Sequence, residues 1–370
     1  MFPANKGIFH KVAESICSKL RYNNKISNNS FFPGSRCIPK RLQHTNVNSD
    51  NKLLFRRGDL DGKANTNEVS NVNCFSILGT DNNGTRFSLE KNYFLSNHRF
   101  DMQSYGSRIV GSCNGIICLQ DHIELGNVVL WNPVTDELKS LPPSSIDFSA
   151  KAPYKFVGSS GFGYDARSED YKVVRFVENG FFSNYRTTHH FELYSLKTDS
   201  WMPIVNPVSI RYPTRYPLHI YSISLNGSCY WEAGNCILSF DFADEVFSYL
   251  PLPPISDLET HEDFVRCLVG IDGSTLGLIV YPFNVQTTMF DLWVWESKEL
   301  YWTNVDNFEL ENIRKPLGLW GGDKCFLVGD NDELLLFDLK IRELKPLGIK
   351  DHHPWAMNLV SFVESTVSIK

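Results

Sequence analysis

Three patterns in the sequence have residue types suited to catalysis. Gly111-Ser112-Cys113-Asn114-Gly115 fits G-x-C-x-G, the spacing of a nucleophile elbow with cysteine in place of serine. An elbow needs a strand before the nucleophile and a helix after it. Here Ile116-Ile117-Cys118-Leu119 follows as a β-favouring apolar run, so Asn114-Gly115 reads as a tight β-turn. His189-His190 and His352-His353 are adjacent pairs. Neighbours on a strand point to opposite faces, so each pair offers one imidazole per face, and no His-Glu-x-x-His accompanies them. Asp165, Glu169 and Asp170 sit near a turn. Paired carboxylates do acid/base work only in a cleft that excludes water, and the turn context predicts solvated side chains instead. There is no P-loop and no dinucleotide fingerprint. The sequence thus predicts no catalytic residue, no cofactor and no metal.

The elements around these residues recur. From Arg108 to Pro142 short apolar strands alternate with polar turns, and Asn132-Pro133 interrupts the run Val128-Val129-Leu130-Trp131 because proline has no N–H for a ladder. An aromatic is followed seven residues later by an apolar residue, across a polar turn, in Trp131/Leu138, Tyr194/Trp201, Phe240/Phe247, Trp295/Trp302 and Phe337/Leu344. The anchors 131, 194, 240, 295 and 337 lie 63, 46, 55 and 42 residues apart, about 50 on average, in the range of propeller blades. One hairpin cannot bury its apolar face alone, whereas radially stacked sheets bury one another. Two packed sheets would not require the same offset five times. The pair Cys74–Leu78 and Arg86–Leu89 supplies a further hairpin, and Lys52–Arg57 with Asn358–Val367 supplies strands that close the ring and leave no open edge. The predicted fold is an all-β, kelch-like propeller of about six blades. The repeat aromatics are predicted to be core, with Lys139 on the polar phase of its strand.

Three segments carry a resemblance to a known family. Arg108-Ile109-Val110-Gly111-Ser112-Cys113-Asn114-Gly115-Ile116-Ile117-Cys118-Leu119, with Leu130-Trp131-Asn132-Pro133, resembles the opening of the plant F-box-associated (kelch-like) domain, as in S-locus F-box and F-box-kelch proteins. Gly161-Phe162-Gly163-Tyr164-Asp165 with Asp170-Tyr171-Lys172-Val173-Val174-Arg175 is similar to its second signature, and Val360-Ser361-Phe362-Val363-Glu364-Ser365 to its ending. The resemblance spans about Lys52 to Lys370. It implies a substrate-recognition subunit of an SCF-type E3 ubiquitin ligase, whose partners are a target protein and the ligase's small adaptor and cullin. In the family an F-box precedes this domain. Here only Val12 to Leu20 is similar to its first helix, with Val12, Ile16 and Leu20 as the adaptor-binding remnant. The Leu-Pro opening is missing and no tryptophan precedes Trp131. The expected organisation is therefore an eroded or truncated F-box or basic extension over 1–51 and a propeller over 52–370.

Composition narrows the classes further. Hydrophobic residues make up 42% and aromatics 13%, enough for a sizeable core. No run of about 18 apolar residues is present, so no membrane span is expected, and the N-terminus has no apolar secretory block. Nine cysteines scatter without a framework and read as thiols in a reducing compartment, predicting a cytoplasmic and/or nuclear protein in which the sequons at Asn28, Asn83 and Asn226 are incidental. Residues 1–57 hold eleven Lys/Arg against Glu14 and Asp50, a charge of +9 that leaves −15 on the rest of a chain of net −6. The basic arm lacks aromatics on a strand platform, which argues against nucleic acid. From Phe9 to Leu20 the apolar spacing predicts one short helix.

Recognition is expected in the long loops. Asn206–His219 carries Arg211, Tyr212, Arg215 and Tyr216, and Asp257–Asp263 carries Asp257 and Glu259, so these six are the predicted target-binding residues. Three functional classes follow: a ligase substrate-recognition subunit, the same propeller as a free interaction protein, and a propeller enzyme, which lacks any supporting constellation.

Overall fold

Most of the apolar runs are too short and too rich in β-branched and aromatic residues for helices, and Gly, Pro, Asn and Asp punctuate them. In the computed structural model they form strands arranged as a six-bladed β-propeller of six four-stranded antiparallel sheets. The structure describes residues 51–57, 72–81, 87–96, 107–121, 127–143, 154–180, 187–204, 222–234, 236–255, 264–282, 287–351 and 357–370. The predicted helix at Phe9–Leu20, with Val12, Ile16 and Leu20, lies outside the described residues.

Blade 1 holds β1 (Asn51–Arg57), β2 (Val72–Thr80) and β3 (Phe87–Ser96). Blade 2 is β4 (Ser107–Cys113), β5 (Ile116–Asp121), β6 (Val128–Asn132) and β7 (Glu137–Ser140); blade 3 is β8 (Tyr154–Asp165), β9 (Asp170–Gly180), β10 (Thr187–Ser195) and β11 (Ser200–Ile204). Blade 4 is β12 (Ser222–Leu225), β13 (Ser228–Glu232), β14 (Cys236–Asp241) and β15 (Val246–Pro251). Blade 5 is β16 (Phe264–Gly270), β17 (Leu276–Pro282), β18 (Thr287–Glu296) and β19 (Tyr301–Glu311); blade 6 is β20 (Ile313–Trp320), β21 (Lys324–Gly329), β22 (Glu333–Asp338) and β23 (Glu343–Lys350). The last strand, β24 (Asn358–Val363), returns to blade 1 and pairs antiparallel with β1, Leu54 opposite Val360. Lys52 fastens this closure, reaching Glu90 of β3 at 3.0 Å and Glu364 at 3.5 Å. The closing strand ends at Val363, four residues short of the predicted Val367, because 364–370 leave the sheet. Arg108–Pro142 makes up a full four-stranded blade.

All five repeat pairs are direct cross-strand partners, Trp131 opposite Leu138, Tyr194 opposite Trp201, Phe240 opposite Phe247, Trp295 opposite Trp302 and Phe337 opposite Leu344. The seven-residue offset is thus the width of a hairpin with a four-residue turn. In each turn the fifth residue after the aromatic is left-handed: Asp136, Asp199, Glu245, Leu300 and Arg342, with φ between 47° and 58°. Most anchors are buried, but Leu138 and Trp295 are only half-buried, and Leu344 is 36% exposed, since its strand, β23, is the outermost of blade 6 and meets solvent at the ring's circumference.

The core is divided into six clusters, each lying between two neighbouring blades. Period-two alternation deals side chains to both sides of a blade. Ile117 and Leu119 pack toward blade 1 with Trp131 and Phe75, while Ile116 and Cys118 pack toward blade 3 with Phe162 and Tyr194. Burial on both faces explains why these inner strands read as continuous apolar runs.

Candidate protein-binding rim

Antiparallel order within every blade sends alternate connections to opposite ends of the ring. At one end the described hairpin turns are short, from Asn114-Gly115 up to the five residues 271–275. They bind one another. Asn226 Nδ2 donates to Ser274 O at 2.6 Å, Arg167 pairs with Asp244, and Lys139 Nζ lies 3.2 Å from Asp199. At the other end the connections include 58–71, 97–106, 141–153, 205–221 and 252–263. The strands flanking 205–221 and 252–263 both open on this loop rim. Arg211, Tyr212, Arg215, Tyr216, Asp257 and Glu259 themselves lie outside the described residues.

The residues that suggested chemistry prove to build turns and blade joints. Cys113 ends β4, and Asn114 (φ 50°) and Gly115 (φ 81°) form the left-handed pair of a two-residue hairpin. Burial pushes the Cys113 thiol up to about 11, against a hydrogen bond from the Tyr164 backbone, so no thiolate is poised there. The carboxylates overturn the expectation of solvated side chains: Asp165 and Asp170 are buried. Asp165 accepts from the amides of Arg167 (2.9 Å) and Ser168 (3.3 Å), from the Ser168 hydroxyl (2.6 Å) and from Lys172 Nζ (2.9 Å). Burial works to raise its pKa, but the Ser168 hydroxyl, the Lys172 ammonium and the two amides outweigh it and hold the carboxyl well below its usual range. Asp170 accepts from Ser195 Oγ (2.5 Å) and Lys197 N (3.0 Å). Glu169 is exposed at the left-handed turn position. His190 is exposed on β10, and His352-His353 lie outside the described residues. No group of three or more His, Cys, Asp or Glu among the described residues could hold a metal.

The segment Gly161–Arg175 is the joint between blades 3 and 4 and the brace of blade 3. Lys172 crosses the joint to Phe242 O at 3.0 Å and Glu245 at 2.7 Å. A Cβ at Gly161 would stand 2.8 Å from Trp231 Cζ2 and 3.0 Å from Cys229 Cβ, and one at Gly163 would meet the Phe242 ring. Only glycine lets the strands approach this closely. Arg175 pairs with the fully buried Glu192 and lays its guanidinium 3.9 Å from the centre of the Trp201 ring. Trp201 Nε1 donates to Pro142 O of the preceding blade at 2.8 Å, and Trp302 Nε1 repeats the bond to Pro251 O at 2.6 Å.

The axis of the ring is stitched by side chains that bond to the backbone of neighbouring inner strands. Ser222 Oγ donates to Ser160 O at 2.6 Å and also reaches Val110 O at 3.3 Å, so β12 touches β4 past the intervening blade. Asn358 Nδ2 donates to Ile109 O at 3.1 Å, and Lys315 Nζ to Met357 O at 3.0 Å. Burial pushes the Lys315 ammonium down to about 8; the Arg314 charge adds to this, while Cys267 and Asp351 oppose it. These cross-links join the inner backbone across blades 1 to 4 and between blades 6 and 1. The alternating apolar pattern carried no trace of them, because serine, asparagine and lysine on an inner strand read as ordinary polar positions.

Residues 66–369 match the F-box associated beta propeller domain family. Among curated Arabidopsis thaliana proteins, F-box protein CPR1 is 27% identical over 273 residues, covering 66% of this chain and 64% of CPR1. An F-box/kelch-repeat protein is 29% identical over 208 residues (52% of this chain, 49% of that one), and F-box protein ETP2 is 26% identical over 254 residues (64% and 59%). The matched region spans less than two thirds of the length of each of these relatives. Among solved structures, an oligogalacturonate lyase in complex with manganese is 8% identical with a TM-score of 0.42, covering 74% of this chain and 73% of that one, a likeness too low to bear on function.

Proposed function

Because the chain belongs to the F-box associated β-propeller domain family, we propose that it is a protein-binding module that selects targets for an SCF-type ubiquitin ligase and is not itself an enzyme. The observation that carries this reading is the asymmetry of the ring: every described turn at one end is short, whereas the connections of ten or more residues, 58–71, 97–106, 141–153, 205–221 and 252–263, all join strand ends at the other. A rigid scaffold with its longest loops collected on one rim suits recognition of a protein surface. The connection 205–221 includes Arg211, Tyr212, Arg215 and Tyr216, and 252–263 includes Asp257 and Glu259. Opposite charges on one rim favour a charged protein partner over a small apolar ligand. In this reading a small adaptor and a cullin complete the ligase.

A second reading keeps the propeller, the part of the chain that the family match covers, and leaves ligase assembly out. It makes the chain an interaction propeller that binds its target without entering a ligase. Size-exclusion chromatography of the chain with purified adaptor separates the two. Stoichiometric co-elution at about 0.15 M salt supports ligase assembly. Separate elution, with target capture retained, supports the second reading.

A further inference from the structure

We infer that the turn-rim edge of blade 2 is a peptide-binding groove, filled in cis by residues 364–370, in which Asn132 and Glu137 read the peptide main chain and an apolar socket takes Ile369. The ligand class is an extended peptide with a branched aliphatic residue at the socket. In its present occupant the groove holds the ring's latch.

The reasoning starts from the repeat. The residue after each repeat aromatic is Asn132, Ser195, Asp241, Glu296 or Asp338. Asp241 accepts from the amides of Ala243 (2.9 Å) and Asp244 (2.8 Å), and Asp338 from those of Lys340 (2.9 Å) and Ile341 (3.2 Å). Asn132 Oδ1 does the same for Val134 (2.9 Å) and Thr135 (3.4 Å). A carboxylate serves that cap equally well. What the amide adds is a donor, and Asn132 Nδ2 spends it on Ser365 O (3.0 Å) and Val367 O (2.7 Å).

Carbonyls two residues apart lie on one edge of an extended chain. Two residues further on, Ile369 N donates to Glu137 Oε2 at 3.0 Å, and Lys370 Nζ lies 3.4 Å from Glu137 Oε1. Two side chains at the ends of a single four-residue turn therefore read main-chain groups 365, 367 and 369. The Ile369 side chain is 1% exposed, in the core cluster between blades 2 and 3 with Val110, Ile116 and Tyr171. Gly115 gives the peptide its close approach, since a Cβ there would stand 2.9 Å from Val363 O and 3.0 Å from Ser365 N. The Ile369 amide beside Glu137, helped by Ser368 and Lys370, holds that carboxyl below its ordinary range. Main-chain hydrogen bonds for affinity with a side-chain pocket for specificity are how extended peptides are recognised in trans. Here the segment is tethered to β24, so it competes at high effective concentration and ties the closing strand of blade 1 to blades 2 and 3.

Asn132→Asp in the full chain separates the two roles, because it keeps the cap acceptor and removes the donor. Amide exchange at Ile369 should accelerate about 10- to 100-fold, the worth of two hydrogen bonds, while the Val134 amide is unchanged. Ile369→Asp should vacate the groove. A fluorophore-labelled peptide of sequence Glu-Ser-Thr-Val-Ser-Ile-Lys should then bind that variant saturably and the wild-type chain at least tenfold more weakly. The inference is overturned if Asn132→Asp leaves Ile369 exchange within twofold of wild type, or if the peptide binds wild type and the Ile369→Asp variant alike.

Discussion

Gly161→Ala tests whether the blade 3–blade 4 joint is as tight as its geometry. Neither Gly161 nor its neighbour Gly163 is among the glycines with a left-handed backbone, so alanine meets no conformational penalty and the cost is steric. The added methyl would stand 2.8 Å from Trp231 Cζ2 and 3.0 Å from Cys229 Cβ, with Cys229 Sγ closer still. Carbon contacts settle near 3.5–4.0 Å, so the shortfall is at least half an ångström, on two side chains that are 2% and 0% exposed. Overpacking of this kind costs about 1–3 kcal/mol. The unfolded chain loses entropy with alanine, which returns about 0.4–1 kcal/mol, leaving a net destabilisation of about 1–2 kcal/mol. Gly318 is the control: nothing lies within 4 Å of its added Cβ and its backbone is not left-handed. Gly318→Ala should be neutral or stabilising by up to about 1 kcal/mol. Urea midpoints read both variants, and Cys229→Ala combined with Gly161→Ala should recover part of the loss, because removing the sulfur makes room for the methyl. Equal shifts for Gly161→Ala and Gly318→Ala, or no coupling with Cys229→Ala, would refute the argument.

Trp131→Ala should cost about 3–5 kcal/mol, since the ring is 1% exposed and packs 5.1 Å from Phe75 and 5.6 Å from Tyr93 between ring centres. Lys139→Ala, which loses only a half-exposed pair with Asp199, should stay within about 1 kcal/mol in the same denaturation assay. Lys315→Met should stabilise the chain by about 1–2 kcal/mol at pH 7, because folding drops the ammonium to about 8 from an unfolded value near 10.4. The sign follows from proton binding: between those two values the unfolded chain binds the extra proton, so wild-type stability rises with pH there. The advantage of Lys315→Met should therefore fade by about pH 10, as read by urea midpoints across that window.

The fold was legible because its cause is periodic. A hairpin with a four-residue turn places a residue opposite the seventh one after it, and Trp131/Leu138 or Phe240/Phe247 betray that geometry without any structure. Seen in place, the family signatures hold the ring together: Gly161, Lys172 and Arg175 assemble and brace blade 3, while Gly115 and Asn132 receive the chain's last segment. The sequence pointed to the signatures but not to these partners, because Asn132 and Ser365 are 233 residues apart and no period relates them. Asp165 and Asp170 misled for a related reason. Turn carboxylates are usually solvated, and their burial here depends on Lys172, Ser168 and Ser195 coming from separate positions in the folded blade. The choice of loops rested on composition alone, since charge and length mark a loop as a candidate but carry no register.

The central claim is that the loop rim holds the target, and quantitative capture from plant extract with charge-reversed rims tests it most directly. One variant reverses Arg211, Arg215, Asp257 and Glu259; a second reverses Lys298 and Glu299 in the exposed turn 297–300 of the opposite rim. With both variants melting within about 2 °C of wild type, the account predicts at least tenfold loss, about 1.4 kcal/mol or more, of the wild-type chain's captured partner for the first variant and less than twofold change for the second. Retained capture by the first variant together with loss by the second would contradict it.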